Sequence, residues 1–384
     1  MNTSHVPSLR LSLVVAALLG FLCISGCAKS QTPHAVNFPA ERAKLASEIE
    51  DIGGQHVHMP PLPLDLPANQ YLNVTPEFLR DSLKEKVVLI DIWDYTCVNC
   101  IQTLPYIKEW NARYKNKGLV IIGVHDPEFE FEKDPKNLDS AVKQFGLDYP
   151  IIADNDYKIW NSLANQYWPA KYLFDSKGIL RAEHFGEGDY QAFEAFLQRI
   201  LLERDSSTAL PEPVAPVRET DKPGAVCYRA TPETYLGSAR NHPGNAEEIK
   251  TDHPANYHAP KVLKSDLVYF DGPWTVRREY AQPSGKATAS LVFDYQAKEA
   301  NLVIHPQADA GFHVQITQDG KPLAKADRGA DVKESDGMTY LEVHEGRMYR
   351  ITNNQDFGRH TLRLSSDNPS FGAYAFTFTT ACKH

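Results

Sequence analysis

The strongest constraint on this chain is a change of hydrophobic pattern across a proline-rich stretch. Before it, residues 87–93 (VVLIDIW) and 119–124 (LVIIGV) are near-continuous apolar runs, the pattern of strands buried on both faces of a sheet. Helical patterns are expected over 97–117, 135–145, 157–163 and 190–202, a further strand over 149–153, and a hairpin of 171–175 with 180–185 around Ser176-Lys177-Gly178. Strands alternating with helices, then a hairpin and a closing helix, predict an α/β domain with a mixed sheet. Residues 206–224 then carry Pro211, Pro213, Pro216 and Pro223 and read as a semi-rigid linker. Beyond Cys227 the helical period gives way to short alternating runs at 287–295, 301–305, 312–317, 339–344, 348–352, 360–364 and 373–379, which predict an all-β sandwich of jelly-roll type. The expected plan is a leader (1–26), a tether with a short helix over 40–51 (27–58), an α/β domain (59–205), a linker (206–225) and the sandwich (226–384). A chain of 384 residues suits two domains.

The balance of 40 Lys+Arg against 49 Asp+Glu, a net charge of −9, argues against nucleic acid as a partner. At the start, Arg10 precedes an apolar run, 11–24, too short to remain as an ordinary membrane span. The run ends in Ile24-Ser25-Gly26-Cys27, which resembles the lipobox of bacterial lipoproteins, with Cys27 as the lipidated first residue of the mature chain. A plain secretory leader with an incidental cysteine is the alternative. Ala28, where aspartate would signal inner-membrane retention, favours the outer membrane, facing the periplasm. Of the six cysteines, Cys23 leaves with the leader, and Cys97, Cys100, Cys227 and Cys382 remain beside Cys27. In an oxidising compartment these read as one local and one distant pair. Terminal strands of a sandwich often lie adjacent, so a Cys227–Cys382 disulfide is expected.

Cys97-Val98-Asn99-Cys100 falls where a buried strand turns into a helix. Unpaired N–H groups at a helix start are expected to stabilise the Cys97 thiolate and lower its pKa, and Cys100, one turn on, can close a disulfide with it. Structural zinc would need a second ligand pair at suitable spacing, and no CxxC or HxxxH recurs in this domain.

The aromatic residue four places before the first cysteine, the CxxC and Pro105 inside the following helix resemble the thioredoxin superfamily. Trp93 to Pro105, with Gly123-Val124-His125-Asp126-Pro127-Glu128-Phe129, is similar to the TlpA-like branch, and most of all to the extracytoplasmic part of DipZ proteins. The resemblance spans about 60–204 and implies a cis-proline facing the dithiol, for which Trp168-Pro169-Ala170 supplies Pro169. It also implies a substrate groove with Trp93, Thr96 and Trp168 around the sulfurs, and a following module similar to carbohydrate-binding domains, matched by 233–237 and 373–378. An acidic residue that relays protons to the dithiol is implied as well. Glu128 and Glu132 are the candidates, Glu128 preferred, against the plain reading of surface carboxylates. DipZ proteins begin with an electron-conducting membrane domain; here an anchor is expected instead, and electrons would come from a separate inner-membrane donor.

Other residues carry weaker expectations. Asp94 either opposes the Cys97 thiolate or sits in a solvated loop. His56 and His58 lack a third metal ligand, so no metal and no cofactor beyond the dithiol are expected. Tyr269, Phe270, Trp274 and Tyr280 form either a sugar-stacking platform or core. Together these features predict a thiol–disulfide oxidoreductase that reduces disulfide-bearing envelope proteins, Cys97 attacking and Cys100 resolving. A glycan- or protein-binding lipoprotein with a redox-sensing module is one alternative. A thiol peroxidase is another, although its Pro-x-x-x-Thr-x-x-Cys motif is absent. The two domains are expected to be separate, with a chain ending near Asp205 keeping the chemistry.

Overall fold

A computed structural model describes residues 38–308 and 311–383. The expected leader, Cys27 and the first part of the tether lie outside them. Among the described residues no helix is long and apolar enough to cross a membrane.

The first region has strands β1 (Tyr71–Leu72), β2 (Val87–Trp93), β3 (Leu119–His125), β4 (Ile151–Ala153), β5 (Ala170–Phe174) and β6 (Leu180–Phe185), in the sheet order β1-β4-β3-β2-β5-β6. β2, β3 and β4 are parallel, whereas β5 runs antiparallel to β2 and pairs with β6 as a hairpin. The mixed α/β sheet is therefore as expected. The helices are α1 (Phe38–Ala46), α2 (Pro76–Asp81), α3 (Val98–Tyr114), α4 (Pro135–Phe145), α5 (Lys158–Ser162) and α6 (Tyr190–Arg204). Strand alternation between two cores explains why β2 is buried throughout. Val87, Leu89 and Trp93 join a core built with α3, α4 and α6, whereas Val88, Ile90 and Ile92 join one built with α2 and α5. Asp91 shares the parity of Leu89 and Trp93, so this one carboxyl of the strand is sent to the α3 face.

Two expected boundaries change. α1 stops at Ala46, because the acidic 48–51 would sit at the unfavourable C-terminal end of its dipole and Asp51 instead binds Arg181 and the Gly53 N–H. From there the tether is folded: Ala46 is buried, and Ile52, Val57 and Met59 hydrogen-bond to the β5–β6 hairpin. The linker is not a free spacer either. The Val214 N–H donates to buried Glu194 at 2.6 Å, Gln198 donates to the Pro211 carbonyl at 2.9 Å, and the Tyr106 hydroxyl accepts from Val217 N–H and donates to Asp221 at 2.8 Å.

The second region consists of β7 (Val226–Cys227), β8 (Thr234–Tyr235), β9 (Pro254–Tyr257), β10 (Val268–Val276), β11 (Ala281–Pro283), β12 (Ala289–Pro306), β13 (Phe312–Gln318), β14 (Val332–Ser335), β15 (Met338–Val343), β16 (Arg347–Ser366), β17 (Phe371–Thr379) and β18 (Cys382–Lys383). The all-β expectation holds, but the four runs at 287–295, 301–305, 348–352 and 360–364 are two long strands, β12 and β16. They pair along their length across bulges at Ala297/Glu299 and Ala300/Asn301. Polar Lys298 and Glu299 thus mark a bend that carries each strand from one half of a continuous ten-stranded sheet to the other, rather than a turn that ends it. Tyr269, Phe270 and Trp274 are buried, Phe270 and Trp274 in the apolar core of this sheet, so these three form no sugar platform. Half-buried Tyr280 stacks on Tyr374 at 5.0 Å. β7 and β18 form a separate ribbon in which Cys227 and Cys382 are direct partners and are joined by the expected disulfide. Closing so long a loop stabilises by about 5 kcal/mol on the chain-entropy estimate.

The two regions share a core. Val98, the residue after Cys97, and Phe129 are buried with Val303, Met348, Tyr374 and Ala375 of the second region, and Ile101 and Phe131 pack on the same cluster. The expectation of separate domains gives way to this contact.

Candidate active site

β2 ends at Trp93, and four residues later Cys97 caps α3, its Sγ accepting the Cys100 N–H at 3.2 Å. Cys97 is half-buried, Cys100 is fully buried, and the two are unbridged thiols. The Cys100 N–H favours a Cys97 thiolate, as expected from a helix start. Burial outweighs it and pushes the Cys97 thiol up, with the charges of Asp94 and Glu128 acting in the same direction. Burial pushes Cys100 further up, again with Asp94 adding to it. The expected lowering at Cys97 is thus reversed, first because the thiol is buried and then because the Asp94 and Glu128 carboxyls lie near it.

Those groups are not solvated. Asp94 is buried, its Oδ1 3.0 Å from His125 Nε2 and its Oδ2 accepting the Thr96 N–H at 3.2 Å. The Thr96 hydroxyl lies 2.8 Å from Asp94 Oδ2 and 2.5 Å from Oε1 of buried Glu132, whose Oε2 accepts the Phe129 N–H at 2.8 Å. Burial, with Asp94 beside it, holds the Glu132 carboxyl well above the usual carboxylate range. Glu128 turns toward the second region, where it accepts from the Tyr235 hydroxyl and from Arg240, each at 2.7 Å. Burial raises its pKa and Arg240 opposes the rise. Of the two glutamates, Glu132 is the one hydrogen-bonded into the turn that leads to Cys97.

The resemblance-based groove residues separate. Trp93 is fully buried with its edge toward His125, and Thr96 is buried in the carboxyl network, so neither lines an open groove. Trp168 is half-buried, its ring tilted against Trp160 at 4.2 Å and its indole N–H donating to the Asp126 carbonyl at 3.0 Å. The Trp168–Pro169 bond is cis. Ala170 pairs with Ile92, which sets Pro169 beside Trp93 at the sheet end from which the dithiol turn leaves. On the Asn99 side of α3 lies an open cleft of about 680 Å³, lined by Asn99, Gln102, Arg218, Lys298 and Cys382 among others.

Sequence reading missed Asp91 and Lys171. They are direct partners across β2 and β5, both buried on the α3 face, and neither Asp91 oxygen has a hydrogen-bond partner among the described residues. Burial lifts the Asp91 pKa to about 7 against the pull of Lys171. Burial lowers that of Lys171, and Asp91 and Cys100 both act to raise it. The lysine therefore feels both the carboxyl and the resolving thiol. The signal was visible, since an aspartate inside a seven-residue apolar strand needs a reason. His56 sits in a tight turn and His58 bridges to Ile179; among the described residues no three ligand-type side chains gather as a metal would need.

Residues 68–194 match the Redoxin family and residues 231–379 the thioredoxin-like C-terminal domain family. Protein DipZ of Mycobacterium tuberculosis is 35% identical over 63% of this chain; the chain spans about a third, 34%, of that relative's length. Thiol-disulfide oxidoreductase YkuV of Bacillus subtilis is 30% identical over 34% of this chain and 87% of its own length. The solution structure of a thioredoxin-like protein in the oxidized form superposes with a TM-score of 0.34 at 30% identity, covering 38% of this chain and 95% of that one. With YkuV 30% identical and matched over 87% of its length, the chain belongs to the thioredoxin-like thiol–disulfide oxidoreductases.

Proposed function

We propose that the chain reduces disulfides in extracytoplasmic proteins, working from a lipid anchor on Cys27 and drawing electrons from a separate membrane donor. The observation that carries the direction is the burial of the Cys97 thiol, with the Asp94 and Glu128 carboxyls near it. A strong oxidant of this fold stabilises its reduced form through a depressed thiolate pKa; here burial, Asp94 and Glu128 all oppose the thiolate, which favours giving electrons away. Cys97 gives up its thiol proton and its Sγ attacks one sulfur of the substrate disulfide, forming the mixed disulfide and releasing the first substrate thiolate, which takes up a proton. Cys100 then loses its proton toward the Asp91–Lys171 pair and attacks Cys97 Sγ. The intramolecular disulfide forms and the second substrate thiolate departs.

A reduction potential near thioredoxin's, about −270 mV, with dithiol-dependent insulin reduction, is expected; a value near −120 mV overturns the direction. The anchor is tested by incorporation of labelled fatty acid, lost in Cys27→Ser. The glycan contact, displaced from the buried aromatics, fits a trough of about 450 Å³ on the second region, where Tyr340 and His313 lie beside Gln315, Asp336 and Asp367. Aromatic faces with amide and carboxylate groups suit a polyhydroxylated ligand, and retention on envelope polysaccharide should fall with Tyr340→Ala.

A further inference from the structure

Thr96 has one hydroxyl proton and a carboxyl oxygen on each side, 2.8 Å away at Asp94 and 2.5 Å away at Glu132. Two ionised carboxylates cannot both be satisfied by that proton, so one acid of the trio carries a second. The other partners say which. Asp94 also accepts the Thr96 N–H, and it faces His125 Nε2. His125 Nδ1 is buried without a hydrogen-bond partner among the described residues, which assigns the ring proton to Nε2. Among the described residues the far oxygen of Glu132 has only the Phe129 N–H. The donors converge on Asp94, and the proton stays on Glu132. The chain of donation therefore runs from Glu132 O–H to Thr96, and from Thr96 O–H to the Asp94 carboxylate.

What holds Glu132 in place is the second region. Phe129 and Phe131 both meet the Tyr374 ring edge-on, at 5.0 and 4.9 Å; Phe131 stacks on His305 at 4.6 Å; and the Glu130 N–H donates to Glu279 at 3.0 Å. We infer that the second region is a positioning element for the redox centre: through Tyr374 it clamps the Phe129–Glu132 turn, so that neutral Glu132 and Thr96 lock the Asp94 carboxylate beside the cysteine pair. A fixed, desolvated carboxylate opposes the Cys97 thiolate; one free to swing and hydrate opposes it less. The inference rests on Cys97 as the attacking thiol. The other groups facing the network are Glu128 and Tyr95 from the first region, Asp126 at the end of β3, Tyr157 before α5, and Glu233 and Arg240 from the second region. None of them touches the Thr96 hydroxyl.

The test is the pH profile of Cys97 alkylation by iodoacetamide in the reduced full chain, followed on the Cys97 peptide. Tyr374→Ala and Thr96→Val should each lower the midpoint and speed alkylation several-fold at pH 7, and Asp94→Asn should do so most. Tyr374→Phe keeps the ring, and Glu132→Gln offers an amide N–H where the acid offered O–H, so both should retain the parent midpoint. A parent profile in folded Tyr374→Ala overturns the clamp. A shift in Glu132→Gln as large as in Asp94→Asn overturns the neutral acid. Where Tyr374→Ala fails to fold, Glu279→Ala, which removes only the acceptor of the Glu130 N–H, gives the same reading. Insulin reduction by the same proteins is scored separately: a parent chain that alkylates as expected but reduces no insulin strikes the reductase reading and leaves this one standing.

Discussion

The two regions bury different chemistry. The first encloses Asp91, Asp94, His125, Asp126, Glu132, Asp154, Lys171, His184 and Glu194, whereas the buried polar residues described in the second are all Ser, Thr or Asn. An enclosed charge destabilises the fold unless it is partnered, so a region that holds many of them has traded stability for reactive groups with displaced pKa values. The second region, with an apolar core and its charges at the rim, has the composition of a scaffold. Their contact through Val98, Phe129 and Tyr374 lets the scaffold act on the chemistry.

The largest expected effect tests whether the chemistry lies wholly on the first side. Cys97→Ser should abolish insulin reduction, and Cys100→Ser should accumulate mixed disulfides that Cys97→Ser does not form. Trapping by Cys97→Ser would reverse the roles of the two cysteines. Loss of reductase activity on removing Cys227 and Cys382 from a folded chain would erase the contrast between the regions.

A chain ended near Asp205 sharpens the comparison next. It loses the buried Val214 and Asp221 anchors and exposes Val98, Phe129 and Phe131, for a cost of about 5 kcal/mol at roughly 1.5–3 kcal/mol per large apolar side chain. Its thermal midpoint should fall steeply. An unchanged midpoint, with an unchanged Cys97 profile, would show two independent modules after all.

How much of this could be read beforehand follows from what each signal depends on. The strand–CxxC–helix junction, Pro105 and the Cys227–Cys382 partnership were legible because they rest on local pattern or on cysteine arithmetic, and Pro169 because the family resemblance implied it. The link between Thr96 and Glu132 spans 36 residues and that between Tyr235 and Glu128 spans 107, and no periodicity reports such contacts. The shared core was hidden for a further reason. Val98, Phe129 and Phe131 are apolar residues on turns and helix starts, where hydrophobicity alone does not say what covers them. β12 and β16 were split because a bulge and a turn use the same polar residues.

Asp91 gives a middle-sized effect with a definite sign. Its folded pKa of about 7 lies above its unfolded value, so the folded state holds a proton that the unfolded state has lost. The stability from that proton is complete in acid and is lost as the pH rises through 7, by about 3 kcal/mol between pH 5 and 8. Asp91→Asn should remove this slope, becoming more stable than the parent at pH 8 by chemical denaturation, while its mixed disulfides resolve more slowly. Parallel pH profiles for parent and variant would mean that the buried carboxyl is ionised throughout.

The smallest effect concerns the strap between the regions. The Tyr106 hydroxyl accepts the Val217 N–H at 2.7 Å and donates to Asp221 at 2.8 Å. Burial alone would raise the Asp221 pKa, but Arg218 and then Tyr106 outweigh it and hold the carboxyl below its usual range. Stability from a carboxyl depressed in this way is present at neutral pH and lost as the pH falls through its folded pKa. Tyr106→Phe keeps the ring stacked on Tyr190 and removes only the hydroxyl. It should cost about 1 kcal/mol at pH 7, the typical net value of one hydrogen-bonded group, and less at pH 3, where protons compete with the Tyr106 hydroxyl for the carboxyl. Urea unfolding at the two pH values measures both. An equal loss at pH 3 would place the contribution in the Val217 N–H rather than in Asp221, and the strap would then be held by its backbone instead of its charge.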